Sequence, residues 1–312
     1  MNEFQLIEKF FKQPKKNAIL GIGDDAAIIP KNEKDCLLLS VDTLSIDSHF
    51  TKQSDPYYLG WKALAVNISD IVAMGGVPTF ALLSLTVEDI NKKWLSKFSQ
   101  GIKACAKKYN VELIGGDTNR GSMSVSVTII GDSPRKNVLT RSAANINDDI
   151  WISDEIGYAH LGFALSKHGP TMSNCLKKRA LQAFLKPEPP MNFILDNKKY
   201  MHAAIDISDG LVSELEHITV EQKLGAKIDV DSIPMHKWFK EHNNQELALT
   251  GGEDYQILFT ANKKNRNKIN NSLKKNKLKG GVIGTITNSK KVEFEHKGKL
   301  VNYKKGGFKH FG

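Results

Sequence analysis

Arginine is scarce in this chain. Among 44 basic residues in 312, it occurs only at positions 120, 135, 141, 179 and 266, so lysine supplies the formal net charge of +10. The lysines spread through polar stretches such as 263–279 and 290–305 with little aromatic interleaving. That is the pattern of a solvated face, whereas nucleic-acid surfaces draw on arginine forks and stacking rings. Nucleic acid is therefore not an expected partner. Cysteine is also rare: Cys36, Cys105 and Cys175 are far apart and form no paired motif, which excludes a disulfide framework and a zinc site. All three are expected to be packing residues of a reduced, cytoplasmic protein. No apolar run approaches a membrane span, and residues 1–11 mix Glu3, Glu8 and Lys9 with their apolar positions, so neither membrane insertion nor secretion is expected. A phosphate loop of the GxxxxGK type and the HRD and DFG signatures of protein kinases are missing too.

What the chain has instead is acid in unusual places. Residues 61–78 are apolar on nearly every side, the pattern of an enclosed helix that stops at Gly75, Gly76 and Pro78. Asp70 lies within it, and a lone carboxylate there would cost several kcal/mol. It must be hydrogen-bonded, as a structural Asp beside Asn67 and Ser69 would be, or be ion-paired or bound to a cation. Gly21-Ile22-Gly23-Asp24-Asp25 delivers two adjacent acids where one would suffice to cap a turn. The apolar strand at 36–40 ends in Val41-Asp42-Thr43 and continues to His49-Phe50. A strand-end acid there either faces a ligand or caps the next turn.

Further on, 80–87 reads as a strand and 92–109 as an amphipathic helix. A short strand at 111–114 then runs into Gly115-Gly116-Asp117-Thr118-Asn119-Arg120-Gly121, read as a glycine turn bringing an acid and an arginine to a ligand. The alternating strand 122–131 closes a first domain near residue 136. Thr140-Arg141-Ser142 opens the second half. A strand at 150–153, helices through most of 158–200 and a strand at 203–207 follow. The latter carries Asp206 into Ser208-Asp209-Gly210 and the helix 211–222, where Ser208 or Asp209 is either a site residue or only an N-cap. Gly251-Gly252-Glu253-Asp254-Tyr255 precedes a strand at 256–260, and the tail holds a lysine-rich helix, a strand at 281–286 and an aromatic element at 308–311.

Converging acids need cations, since two carboxylates about 4 Å apart repel by roughly 4 kcal/mol at an effective dielectric near 20. All-oxygen ligation suits magnesium, which shares its shell with nucleotide phosphates. The acids thus point to a metal-dependent enzyme acting on polyphosphates.

In this order and over nearly the whole chain, the motifs resemble those of the thiamine-monophosphate kinase family, in the aminoimidazole ribonucleotide synthetase-like superfamily. The resemblance implies an α/β (α+β) fold of two domains, 1–136 with a dimerising sheet and 137–312. It implies transfer of the terminal phosphoryl group of ATP to thiamine monophosphate, the last step of thiamine diphosphate synthesis, by a homodimer with several magnesium ions. Asp25, Ser40, Asp42, Asp70, Asp117, Asp206 and Asp209 would hold the metal, with Val41, which stands where the family usually has threonine, contributing backbone alone. Gly116, Asp117, Arg141 and Ser208 would contact ATP. His49, Glu253 and Phe308 would face the thiamine phosphate, Phe308 standing where tyrosine or tryptophan is frequent. Asp25, Asp70, Asp117 and Asp206 would form the catalytic centre. Superfamily relatives acting on a formylglycinamidine or a selenium donor are the nearest alternatives, and the second fits less well because no reactive cysteine or lysine lies in a glycine-rich amino terminus.

Overall fold

Among the described residues two sheets carry the chain, one of five strands and one of seven. The structure, a computed structural model, describes residues 3–12, 16–46, 48–166, 172–220 and 222–303; the aromatic element at 308–311, with Phe308, lies outside them. After helix α1 (Glu3–Phe10) come strands β1 (Ala27–Pro30) and β2 (Asp35–Ser45), helix α2 (Pro56–Ala73), β3 (Val77–Val87), α3 (Lys92–Tyr109), β4 (Glu112–Arg120) and β5 (Ser124–Pro134). They form the first sheet in the order β1-β2-β5-β3-β4, antiparallel except for the parallel β3–β4 pair. Alternation along β5 shows how the sheet is used: Val125, Val127 and Ile129 are buried on one face, while Ser124, Ser126 and Thr128 lie on the other.

The second half runs β6 (Asp149–Ile152), α4 (Tyr158–Ser166), α5 (Asn174–Leu185), α6 (Met191–Asn197), β7 (Met201–Asp206), α7 (Leu211–Val220) and β8 (Gly225–Asp229). It continues through α8 (Lys237–Glu241), α9 (Gln245–Thr250), β9 (Ile257–Ala261), α10 (Arg266–Lys275), β10 (Gly281–Thr287), β11 (Val292–His296) and β12 (Lys299–Val301). The second sheet is ordered β12-β11-β8-β10-β6-β9-β7. Strands β8, β11 and β12 are hidden from an apolar pattern by Lys227, Glu293, Glu295 and Lys299.

The helix expected at the centre is there. Asp55 caps α2 by accepting the Tyr57 N–H at 2.9 Å, with Pro56 in the first turn. Packing against β2, β3, β5, β7, α3, α5 and α6 encloses it, and one hydrophobic cluster joins Ile68, Ile71 and Val72 to Trp151, Phe193 and Phe259 from the other half. Asp70, however, sits in the last turn of α2 and is half-buried. Two other expectations are corrected. Residues 115–120 continue β4 along β3 and form no turn, because the parallel register from Gly115 to Arg120 pairs the side of their backbone that faces β3. Cys36 and Cys105 are buried, but Cys175 is exposed at the start of α5.

Candidate active site

Three chain crossings deliver the acids to one place. Ser40 and Asp42 project from β2 toward α2, where the Ser40 hydroxyl donates to Asp70 Oδ2 at 2.6 Å and the Asp42 N–H donates to Asn67 Oδ1 at 2.9 Å. From the loop before β1, Asp25 meets Arg141 at 2.6 Å and Asp24 lies 3.4 Å from the Arg141 Nε. Both carboxylates are nearly buried, at 4% and 2% exposed. The Arg141 N–H also donates to Asp24 Oδ2 at 3.2 Å. From the second sheet, β7 ends in buried Asp206, and Glu214 of α7 accepts the Asp209 N–H at 3.1 Å.

These groups act on one another. Burial pushes Asp70 well above the ordinary carboxylate range, and the charges of Asp42, Asp206 and Asp25 raise it further. Burial likewise lifts Asp25, with Arg141 opposing and Asp206 and Asp24 reinforcing the rise. Asp206 is pushed up to about 7, chiefly by burial, with Asp42 among the charges that add to it. Glu214 is raised well above its usual range by burial and then by Asp209 and Asp206. Burial pulls Arg141 down, but Asp25 and Asp24 more than offset it and leave the guanidinium firmly charged. One arginine therefore stands against a cluster of acids.

That donor set fits a hard divalent cation. It is all oxygen, it includes Asp25 Oδ2 and Asp206 Oδ2, buried with no hydrogen-bond partner among the described residues, and its charge exceeds what Arg141 neutralises. Among the described residues, no three acid, histidine or cysteine side chains are yet drawn together as a ready ligand set; Asp24 and Asp25 are turned to Arg141 instead. A cleft of about 330 Å³ opens beside them, lined by Asp24, Asp25, Ser40, Val41 and Thr128.

Not every expected residue joins the cluster. Asp117 is exposed on β4, paired with Ser84, which pairs with Ser126, which pairs with Thr43 beside Asp42. Three strand spacings separate it from β2, about 14 Å at the usual interval, and it lies on the sheet face away from α2. There its oxygens accept the Thr118 N–H at 2.9 Å and the Asn119 Nδ2 at 2.7 Å. Gly116 has φ +146, and a Cβ on it would stand 1.8 Å from the Leu83 carbonyl oxygen, so the closeness of β3 already demands glycine there. Arg120 donates to the Glu88 carbonyl at 3.2 Å, at the end of the same edge strand. His49 lies beyond the end of β2, where its Nδ1 accepts the Ser45 N–H at 3.1 Å.

Ser208 and Glu253 do meet: the Glu253 N–H donates to the Ser208 carbonyl at 2.7 Å. Sequence reasoning missed Glu214 and Lys62. Glu214 is a buried acid among Leu211, Val212, Leu215 and Ile218 on the inner face of α7, a signal weaker than that of Asp70 because Ser213, Glu216 and His217 share the helix. Lys62 is the only charged residue between positions 56 and 69 and forms an ion pair with Glu253.

The two-sheet fold with acids gathered between its halves defines a class. Residues 23–132 match the family model of the AIR synthase related protein N-terminal domain, and residues 148–297 match its C-terminal domain. Within that class the chain belongs to the thiamine-monophosphate kinase family. It is 39% identical to the thiamine-monophosphate kinase of Buchnera aphidicola subsp. Acyrthosiphon pisum, covering 99% of this chain and 98% of that one. It is 35% identical to that of Salmonella typhimurium, over 99% and 98%. Among solved structures it superposes on AaThiL complexed with AMPPCP and TMP with a TM-score of 0.86 at 30% identity, covering 99% of this chain and 97% of that chain.

Proposed function

We propose that this chain is a thiamine-phosphate kinase. It passes the terminal phosphoryl group of ATP directly to the phosphate of thiamine monophosphate, giving thiamine diphosphate and ADP. The observation that carries this reading is that Asp25, Asp42, Asp70 and Asp206 lie near enough to raise one another's carboxyls, with Arg141 ion-paired to Asp25, in a chain of this family. AaThiL, complexed with both AMPPCP and TMP, supports a site for a nucleotide and an acceptor together. In this reading residues 1–136 supply most of the acids and residues 137–312 complete the site, in a cytoplasmic enzyme; among the described residues, no helix is long and apolar enough to cross a membrane.

Asp25, Ser40, the Val41 backbone, Asp42, Asp70, Asp206 and Asp209 would hold magnesium ions. Bound there, magnesium supplies charge neutralisation for the phosphates. The chain's own part is to hold the two substrates in line. Ser40 fixes the Asp70 carboxylate, Arg141 and Ser208 face the nucleotide, and Glu253 and His49 face the acceptor; a part for Phe308, outside the described residues, rests on the family resemblance alone. The attacking oxygen of a phosphate acceptor is already anionic, so no residue has to remove a proton from it, and positioning supplies most of the rate.

Gly116 and Asp117 enter the reading through a second copy. The sheet face on which Asp117 lies is open, with Val41 60%, Phe80 40% and Leu82 37% exposed, beside Leu113 and Ile114 of the edge strand, 44% and 50% exposed. Such a face calls for a partner, and a homodimer closing over it would carry Asp117 of one copy toward the cleft at Val41 and Thr128 of the other. The test of the activity is ADP release from ATP and magnesium with thiamine monophosphate, with free thiamine and with no acceptor. Release with the monophosphate alone, with thiamine diphosphate as product, is expected; silence from folded protein that binds ATP would send the search to another acceptor.

A further inference from the structure

Lys62 has no part in the chemistry described so far, yet it is among the most deeply buried charges in the molecule. It rises from α2 eight residues before Asp70, its side chain 4% exposed, and its ammonium forms an ion pair with Glu253 Oε2, whose side chain is 22% exposed. The ammonium also stands 3.9 Å from the centre of the Phe184 ring on α5. A buried lysine needs such partners to remain folded in.

Glu253 is held in an unusual way from its own side as well. Its φ is +74, and that of Tyr255 is +48, both in the region that side chains avoid. The backbone stays there because the Glu253 N–H donates to Ser208 and the Tyr255 N–H donates to the Ile207 carbonyl at 2.9 Å. Gly252 is pressed so close that a Cβ would stand 2.0 Å from the Ser208 carbonyl oxygen. The segment 251–256 is thus strapped to the loop that carries Ser208 and Asp209, and Lys62 reaches across from the other half of the chain to pair with Glu253. The pair engages Oε2, which leaves Oε1 as the oxygen for an acceptor's N–H or positive ring.

We infer that Lys62 is a positioning residue for the acceptor: it acts through Glu253, fixing that carboxylate's direction, and ties the acceptor side of the site to the helix that carries Asp70. The inference rests on the reading of Glu253 as an acceptor-binding residue. A purely structural ion pair would affect stability and both substrates alike, whereas a positioning pair affects the acceptor selectively.

The experiment is steady-state kinetics on full-length wild type, Lys62→Met, Lys62→Arg, Glu253→Gln and the Lys62→Met/Glu253→Gln double variant, with ATP and thiamine monophosphate each varied. Lys62→Met should raise the acceptor KM about tenfold or more, since it leaves a carboxylate without its partner, while the KM for ATP stays within about twofold. Lys62→Arg should recover part of the loss. Adding Lys62→Met to Glu253→Gln should cost almost nothing further, because both act on one interaction. An active wild type with an unchanged acceptor KM in Lys62→Met, equal shifts in both KM values, or additive losses in the double variant would overturn the inference alone. A wild type inactive with this acceptor overturns the kinase reading and the inference with it. Should Lys62→Met fail to fold, Lys62→Arg and the double variant, which has no unpaired carboxylate, carry the same comparison.

Discussion

Asp70 is caught between two demands. Its carboxylate takes a 2.6 Å hydrogen bond from Ser40, which favours the charged form, while burial and three neighbouring acids oppose that charge. An amide of the same shape can still accept from Ser40 and removes the repulsion, but it brings no negative charge to a cation. Asp70→Asn should therefore leave the fold intact, with an unfolding temperature equal to or above that of wild type. It should lower turnover by about 10²-fold or more, the scale for removing one group that stabilises transition-state charge. Thermal unfolding beside ADP release checks both halves, and a fully active variant at ordinary magnesium would remove Asp70 from the catalytic set. The sequence exposed Asp70, Asp25 and Asp206 because an acid is conspicuous in a helix apolar all round, in a glycine turn, or at the end of a buried strand. Lys62 and Glu214 stood in the same kind of surroundings. They escaped notice because what explains each of them, Glu253 for Lys62 and the Asp209 N–H for Glu214, is contributed by a different element.

At the scale of elements the same limit recurs. Helix α3 was legible to the residue, since Asn91 caps its start and Asn110 turns left-handed at its end. The start of α4 falls at 158, where the helical pattern puts it, but its cap was not legible, because it comes from about a hundred residues away: Asp254 accepts the Gly157 N–H at 2.8 Å and the Ala159 N–H at 3.2 Å. Replacing Asp254 with alanine should cost about 1–3 kcal/mol by leaving both donors buried and unpaired. The site also links stability to pH. Burial pushes Asp254 up to about 7, the two N–H donors oppose the rise, and the Glu253 charge adds to it. A folded value above the unfolded one means the folded state prefers the protonated acid. This stabilisation is full below about pH 4, fades as pH rises to about 7, and is then gone. Asn carries no such titration, so the stability advantage of wild type over Asp254→Asn should narrow between about pH 5 and about pH 8. Urea unfolding of both proteins at the two pH values measures it, and parallel behaviour would show that Asp254 does not titrate in this window. Residues 115–120 mark the opposite failure. Two glycines, an acid and an arginine read as a ligand turn, yet β3 supplied the backbone partners that make them a strand, and no local pattern reveals that pairing.

For the whole molecule, the position of Asp117 sets the test of the proposed homodimer. In one chain it is three strand spacings from Asp42 and on the opposite sheet face from the acid cluster, so a catalytic role requires a second copy. That copy would cover the exposed Val41, Phe80 and Leu82 and the bare edge of β4. The consequence can be tested without a structure of the assembly, by mixing two inactive variants. Asp117→Asn and Asp70→Asn homodimers each lack one acid in every site. If Asp117 serves the partner's site, a mixed dimer has one site with both defects and one with neither. Random exchange of equal amounts then makes half the dimers mixed and restores about a quarter of wild-type activity per site. If Asp117 serves its own chain, each mixed site keeps one defect and mixing restores nothing. Recovery should depend on subunit exchange, appearing after co-expression or after dilution and reconcentration, and a charge placed at Leu82 on the covered face should abolish it by separating the copies. Recovery that survives such a charge in a monomeric protein would sever Asp117 from the dimer and return it to its own chain.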